Sequence, residues 1–218
     1  MSPLASLLLA DGRLPVGSYT YSAGLEPAVA AGLTRDRVPA LLRARLRTVC
    51  VTEAAATVLA LRAGGLGEAD YGAVQRALAA RTPTEPLREA SVALGRGVRR
   101  LARRLAPRHP AVTGLPSRPY RPVALGALGA ALGVGEEELA RVAVYDDLQA
   151  VASAALKLLP GDPLDSAAWL LAAGPDVEAA VAEAVAVRTP GGLPARSAPL
   201  TEEWALAHAQ RERRLFLA

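Results

Sequence analysis

Apolar residues recur along this chain at helical spacing. Val38, Leu41, Leu42, Leu46 and Val49 fall on one face of a 3.6-residue repeat, with Arg43 and Arg47 opposite them. Leu87, Leu94, Val98, Leu101 and Leu105 form a second stripe, and Arg96, Arg99, Arg100, Arg103 and Arg104 lie off it. Strict alternation and β-branched runs are scarce. The pattern predicts helices over residues 2–10, 20–31, 34–63, 68–80, 86–106, 123–132, 136–159, 164–173, 175–187 and 201–214. Glycine and proline supply the stops: Gly32 after the second helix, "GGLG" near 64–67, "RTPTEP" before 86 and Pro160 after the long helix. Residues 106–122 carry five prolines and read as a connector inside one domain. The expected fold is all-α, a single-domain bundle of about eight to ten helices over residues 1–218.

The 136–159 helix stands apart. Leu139, Val142, Val144, Leu148, Val151, Leu156, Leu158 and Leu159 point in most directions, which predicts a central position. Asp146, Gln149, Ser153 and Lys157 nevertheless share one narrow sector. A buried polar stripe is costly without partners, so the sector is expected to face a groove, solvent or another protein. Arg141 and Tyr145, four residues apart, form a second candidate for exposure.

Composition narrows the possibilities. The 218 residues are 51% hydrophobic and 21% charged, as in globular proteins. The one cysteine, Cys50, excludes an internal disulfide and suits a reducing compartment. The N-terminus lacks a basic segment followed by a long apolar run, and no apolar stretch reaches the about 18 residues of a membrane span. Cytoplasm is the expected setting. Net charge is +4, nearly all the cations are arginine, and Lys157 is the only lysine.

Motifs for chemistry are wanting. "GSYTYSAG" has no lysine and follows no strand, so it is not a phosphate loop, and no strand–helix alternation supports a dinucleotide site. Cys50, His109 and His208 are far apart and show no metal-ligand spacing. Glu136, Glu137 and Glu138 are explained by a helix N-terminus. No Ser–His or Cys–His arrangement emerges. The expectation is a non-enzyme with no cofactor and no metal of its own. A pocket joining His208 or His109 to carboxylates would reopen the enzymatic reading. The off-stripe arginines of 86–106 leave one alternative, an arginine-rich helical nucleic-acid-binding protein, although stacking aromatics and a helix-turn-helix pattern are missing.

The stretch "LPVGSYTYSAGLEPAVAAG" reads as a shaped joint. Pro15 ends one element, Gly17 permits a turn, Ser18 or Thr20 caps the next helix, and Gly24 inside that helix marks a close backbone approach. This stretch also resembles the N-terminal signature of the urease accessory protein UreF family. There Leu-Pro and Gly open the motif, aromatics alternate, and Ser-x-Gly-Leu-Glu closes it. "EPLREASVALGRGVRRLARRL", "ALGALGAALGVGEEELARVAVYDDLQAVASAALKLLP" and "RERRLFLA" are similar to later family segments in the same order, so the resemblance covers about residues 4–217.

The resemblance implies an all-α, non-enzymatic protein of nickel urease maturation. It implies a homodimer that joins UreD (also called UreH) and the GTPase UreG to deliver nickel to apo-urease, with no nucleic acid or membrane involved. Carried to matching positions, it places Arg141, Tyr145 and Lys157 at the UreG interface. Tyr21, Glu26, Arg214, Leu215 and Phe216 fall at the UreD interface, with the apolar tail as a plug for a partner pocket. The chain departs from the family in "LPGDPLD" where P-L-G-Q is usual, in "YDDLQAVA" where an asparagine-bearing version is usual, and in ending "FLA".

Overall fold

A computed structural model describes residues 3–14, 16–66, 70–196, 198–212 and 214–216. Pro15, the expected helix start at residue 68, and Leu217 and Ala218 of the tail lie outside them. The described residues contain helices and no strand. Helix α1 spans Pro3–Ala10 and α2 spans Leu25–Ala30. Helix α3 (Val38–Arg45) runs through a π turn (Leu46–Cys50) into α4 (Val51–Gly65). There follow α5 (Tyr71–Ala79), α6 (Glu85–Leu105), α7 (Pro110–Thr113), α8 (Arg121–Leu132), α9 (Glu136–Leu158), α10 (Leu164–Ala172), α11 (Gly174–Ala186) and α12 (Pro199–Ala209).

Most expected boundaries hold within two or three residues. The last helix ends at Ala209, five residues short of the expected 214, and two further differences have identifiable reasons. The five-proline connector contains α7, whose start is capped when the Ala111 N–H donates to His109 Nδ1 at 3.2 Å. Helix α2 begins at Leu25, not residue 20, because Ala23 (φ 53°) and Gly24 (φ 85°) adopt left-handed backbone. Gly24 thus sits before the helix and supplies a positive φ; its nearest neighbour on that side, Thr201 Cγ2, is 3.8 Å from where a Cβ would be. Ser18 and Thr20 lie well ahead of α2, whose N-cap position is Gly24. They form a short 3₁₀ turn, and it is the buried Ser22 Oγ that accepts the Glu26 N–H at 3.2 Å.

Helix α9 is central, but it shares that place with α4 and α8. Every residue of α8 from Arg121 to Gly129 is buried, as are nine of the first ten residues of α4. Alanines there shorten the distance between axes, so the helices meet almost backbone to backbone. Around this centre α6 covers α8, α11 covers α4 and α9, and α1, α2 and α10 lie along α9. The turn "LPGDPLD" is fixed by Arg35. Its guanidinium donates to Leu159 O at 2.6 Å and Asp165 Oδ2 at 3.1 Å, and it lies 4.9 Å from the Trp169 ring. Glu136 does more than face a helix N-terminus. It accepts two hydrogen bonds from Arg62 (2.8 and 2.6 Å), which hold its carboxyl below the usual range.

Candidate partner-binding site

The polar sector of α9 does face a groove. Asp146, Gln149, Ser153 and Lys157 line it, the N-terminal segment crosses it with Gly12, Tyr19 and Tyr21, and Phe216 closes one end. Gln149 Nε2 donates to Ser153 Oγ at 3.2 Å. Lys157 Nζ stands 5.3 Å from the centre of the Phe216 ring, a cation–π distance.

The tail reaches this place by folding onto its own chain. The Glu26 carboxylate accepts the backbone N–H groups of Leu215 and Phe216, both at 2.9 Å. His208 of α12, buried, lies with Nε2 3.2 Å from the Phe216 carbonyl and 3.6 Å from Glu26 Oε2. Phe216 is 5% exposed, whereas Leu215 is 61% exposed and Arg214 is also exposed. This revises the plug expected from sequence: the phenyl ring fills the chain's own groove, and Leu215 and Arg214 are what it displays. It also answers the question about His208. That histidine does adjoin a carboxylate, but both partners are occupied by tail backbone in a buried setting.

The eight residues carried over from the family therefore fall into three places. Tyr21, Phe216 and Lys157 line one groove and Glu26 holds the tail against it, although the resemblance grouped Lys157 with Arg141 and Tyr145. Arg214 and Leu215 border it. Arg141 and Tyr145 do not join it: sixteen residues separate Arg141 from Lys157, about 24 Å along the helix and about 160° around it. Arg141 instead donates two hydrogen bonds of 2.7 Å to Glu178 of α11, which raise its pKa, and Tyr145 is exposed beside it.

Beneath the groove lies a charged cluster that sequence reading missed. Arg45 and Asp147, each 3% exposed, form two hydrogen bonds (Nε to Oδ2, 2.8 Å; Nη2 to Oδ1, 2.6 Å). The Cys50 thiol donates to Asp147 Oδ2 at 2.9 Å. Burial alone would raise Asp147, but the charge and hydrogen bond of Arg45 outweigh it and leave the carboxyl below its ordinary range. Burial pushes the Cys50 thiol well up, so this cysteine is a neutral donor. Arg121 pairs through Nη2 with Asp146 and through Nη1, at 3.7 Å, with Glu53. Burial raises the Tyr21 hydroxyl as well. A signal existed: Arg45 sits between Leu42 and Leu46 on an apolar face, and Asp147 abuts Leu148 on a helix read as central.

Among the described residues no group of three or more His, Cys, Asp or Glu side chains could hold a metal ion, and no helix is long and apolar enough to cross a membrane. Cys50 is buried with Asp147, His109 caps α7 and His208 binds the tail, so the candidate ligands each have a structural partner. Replacing Glu26 with alanine should release the tail. Two charge-assisted hydrogen bonds, each worth about 1.5–3 kcal/mol, disappear. Hydrogen exchange at residues 215–216 should accelerate by about tenfold or more while protection of α4 and α8 is unchanged; unaltered exchange in the tail would remove Glu26 from this role.

The sequence profile of the UreF family matches residues 33–174. Across 99% of both chains the protein is 42% identical to the urease accessory protein UreF of Mycobacterium sp. (strain JLS) and 40% identical to that of Mycolicibacterium vanbaalenii. The urease accessory protein UreF of Mycobacterium tuberculosis is 36% identical over the whole length of both. Nothing in the site or among these relatives supports the nucleic-acid reading.

Proposed function

This chain belongs to the UreF family of urease accessory proteins, and from that premise we propose that it is a non-catalytic scaffold that joins UreD and the GTPase UreG during nickel delivery to apo-urease. Nickel is the cargo of the assembly. The chain's own histidines and cysteine are committed to structural contacts, which suits a protein that positions carriers of metal. We place this activity in the cytoplasm and in a homodimer.

The observation that carries the reading is the division of α9 into two separate displays. One is the groove with Tyr21, Glu26, Lys157 and the tail, which we assign to UreD. The other is the half-buried Arg141, paired with Glu178, together with the exposed Tyr145, which we assign to UreG. The positive charge of the chain suits acidic partner surfaces and speeds encounter. A scaffold of this kind needs two points of contact that can be engaged separately, and Arg141 lies about 24 Å along α9 from Lys157.

The test is capture of each partner separately. Arg141→Glu removes a half-exposed ion pair worth at most about 1 kcal/mol, so the fold should survive. UreG capture should weaken by about tenfold, equivalent to ~1.4 kcal/mol, with UreD capture unchanged. Lys157→Ala should do the reverse, because Lys157 touches the tail. Deleting residues 214–218 should abolish UreD capture. Full UreG capture by Arg141→Glu, or full UreD capture by the truncated chain, would overturn the corresponding assignment.

A further inference from the structure

Between α4, α5, α6 and the start of α12 lies a cavity of about 420 Å³. Its walls are mainly apolar, with Val49, Leu78, Leu87, Leu94 and Tyr120 among them. A concave, largely apolar chamber with a few polar groups is the usual form of a small-molecule site, and its size falls in the usual range of about 300–1,000 Å³.

The charged part of the lining is unequal. Arg45, Arg81, Arg88, Arg121 and Arg196 contribute to it, against Glu53 and Glu202. Arg45 is paired with Asp147, Arg121 with Asp146 and Glu53, and Arg196 with Glu183. Arg81 and Arg88 have no carboxylate partner among the described residues. Arg81 donates to the carbonyls of Ala77, Gly191 and Leu193, and Arg88 to those of Thr82 and Pro83. Such bonds hold a guanidinium in place and leave its charge intact. Around this turn the two arginines meet one acid, Glu202, which accepts the N–H and the hydroxyl of Thr84.

Arg88 is set up as a receiver. Both of its carbonyl contacts use Nη1, and among the described residues nothing accepts from its Nε or Nη2. That same edge is the one with which Arg45 grips Asp147, Arg62 grips Glu136 and Arg141 grips Glu178, each time by two hydrogen bonds. Its two parallel N–H groups match the two oxygens of a carboxylate. In Arg88 the edge belongs to a half-buried side chain, in a cavity wall shared with Leu87 and Leu94. Charge in a partly enclosed wall is screened less than charge on an open surface.

We propose that this cavity is a binding site for a small organic anion, a monocarboxylate on a compact apolar body, with the Nε–Nη2 edge of Arg88 receiving the carboxylate and Leu78, Leu87 and Leu94 enclosing the body. Arg81 supplies a second positive charge from the same turn. A neutral ligand of the same shape forgoes the charge-assisted pair and binds less well. An ammonium on that body meets Arg81 and Arg88 and is repelled.

The intact protein titrated with 3-phenylpropionate at pH 7, read by calorimetry, tests this. Saturable binding at one site per chain is expected, with 3-phenylpropanamide, the neutral isostere, at least about tenfold weaker. Arg88→Met keeps the apolar stem and removes the charge, and should weaken 3-phenylpropionate by a similar factor while leaving the amide unchanged. Leu87→Trp, which fills the chamber from its half-buried wall, should abolish both and serves as the independent variant should Arg88→Met fail to fold. Absence of saturable binding to the unaltered chain, equal affinity for the two probes, or undiminished binding by folded Arg88→Met or Leu87→Trp overturns the proposal. Neither UreD nor UreG is needed, so this outcome is separable from that of the scaffold reading.

Discussion

Replacing Asp147 with alanine is expected to destabilise the fold by about 3–5 kcal/mol. The change removes both acceptors from the Arg45 guanidinium, and the side chains of this pair are only 3% exposed. The Cys50 thiol loses its acceptor as well. The pair is almost wholly out of bulk solvent, so the cost is that of a poorly compensated buried charge, a large share of the about 5–15 kcal/mol that holds a typical domain together. Denaturation by urea should show a lower midpoint with an unchanged slope. The double change Arg45→Met with Asp147→Leu should recover most of the loss, because both charges leave together. The acid side of the stability curve follows with a definite sign. The folded carboxyl of Asp147 titrates below its ordinary value of 3.8, so its contribution is complete above that value and lost as pH falls through the depressed one. The alanine variant should lack that portion of the acid transition. Glu53 acts in the opposite sense. Its pKa is raised above 4.5, so its ionisation costs stability as pH rises through that region, and Glu53→Gln should be as stable as the unaltered chain at neutral pH, or more so.

Gly126→Ala should destabilise by about 1–3 kcal/mol even though alanine is the better helix former. A Cβ at Gly126 of α8 would lie 2.4 Å from the Thr57 carbonyl oxygen and 2.6 Å from the Ala60 Cβ, both on α4. Neither neighbour can swing aside, since one is backbone and the other has no rotamer. The only relief is to separate α8 from α4, which opens gaps along the most buried pair of helices in the molecule. Gly65, at the exposed end of α4, meets nothing within 4 Å, so Gly65→Ala should instead gain up to about 1 kcal/mol. Thermal unfolding of the two variants side by side measures this contrast. Equal shifts would mean that α4 and α8 are not in backbone contact.

The amphipathic elements were legible because their two faces differ. Leu94 and Val98 of α6 are buried as their stripe predicts, while Leu105 at its end remains exposed. The full depth of α4 and α8 was not legible. An alanine-rich helix looks much the same whether it is half or wholly enclosed, and small size becomes informative only once a neighbour's backbone is in place. The polar sector of α9 announced a groove, solvent or another protein, because four polar side chains on one stripe of an apolar helix must be accommodated, and the structure has the groove. What fills the groove was hidden, since the Glu26 contacts to Leu215 and Phe216 span about the whole chain and use backbone donors that carry no side-chain signature. Arg45 and Asp147 were each visible as charges on an apolar face, but their meaning lies in the pair, across 102 residues of sequence. The joint at 14–26 was read correctly as a turn-bearing element and incorrectly as a helix from residue 20, because the left-handed backbone of Ala23 is not written in its side chain.

The central claim is that this chain acts by presenting preformed helical surfaces to the other members of the urease maturation machinery. Its most direct test is nickel-dependent activation of apo-urease in a reconstituted mixture of UreD, UreG, GTP and nickel, with and without this protein. Activation should depend on the intact chain and be lost with the chain truncated before residue 214. Equal urease activity in its absence would contradict the claim.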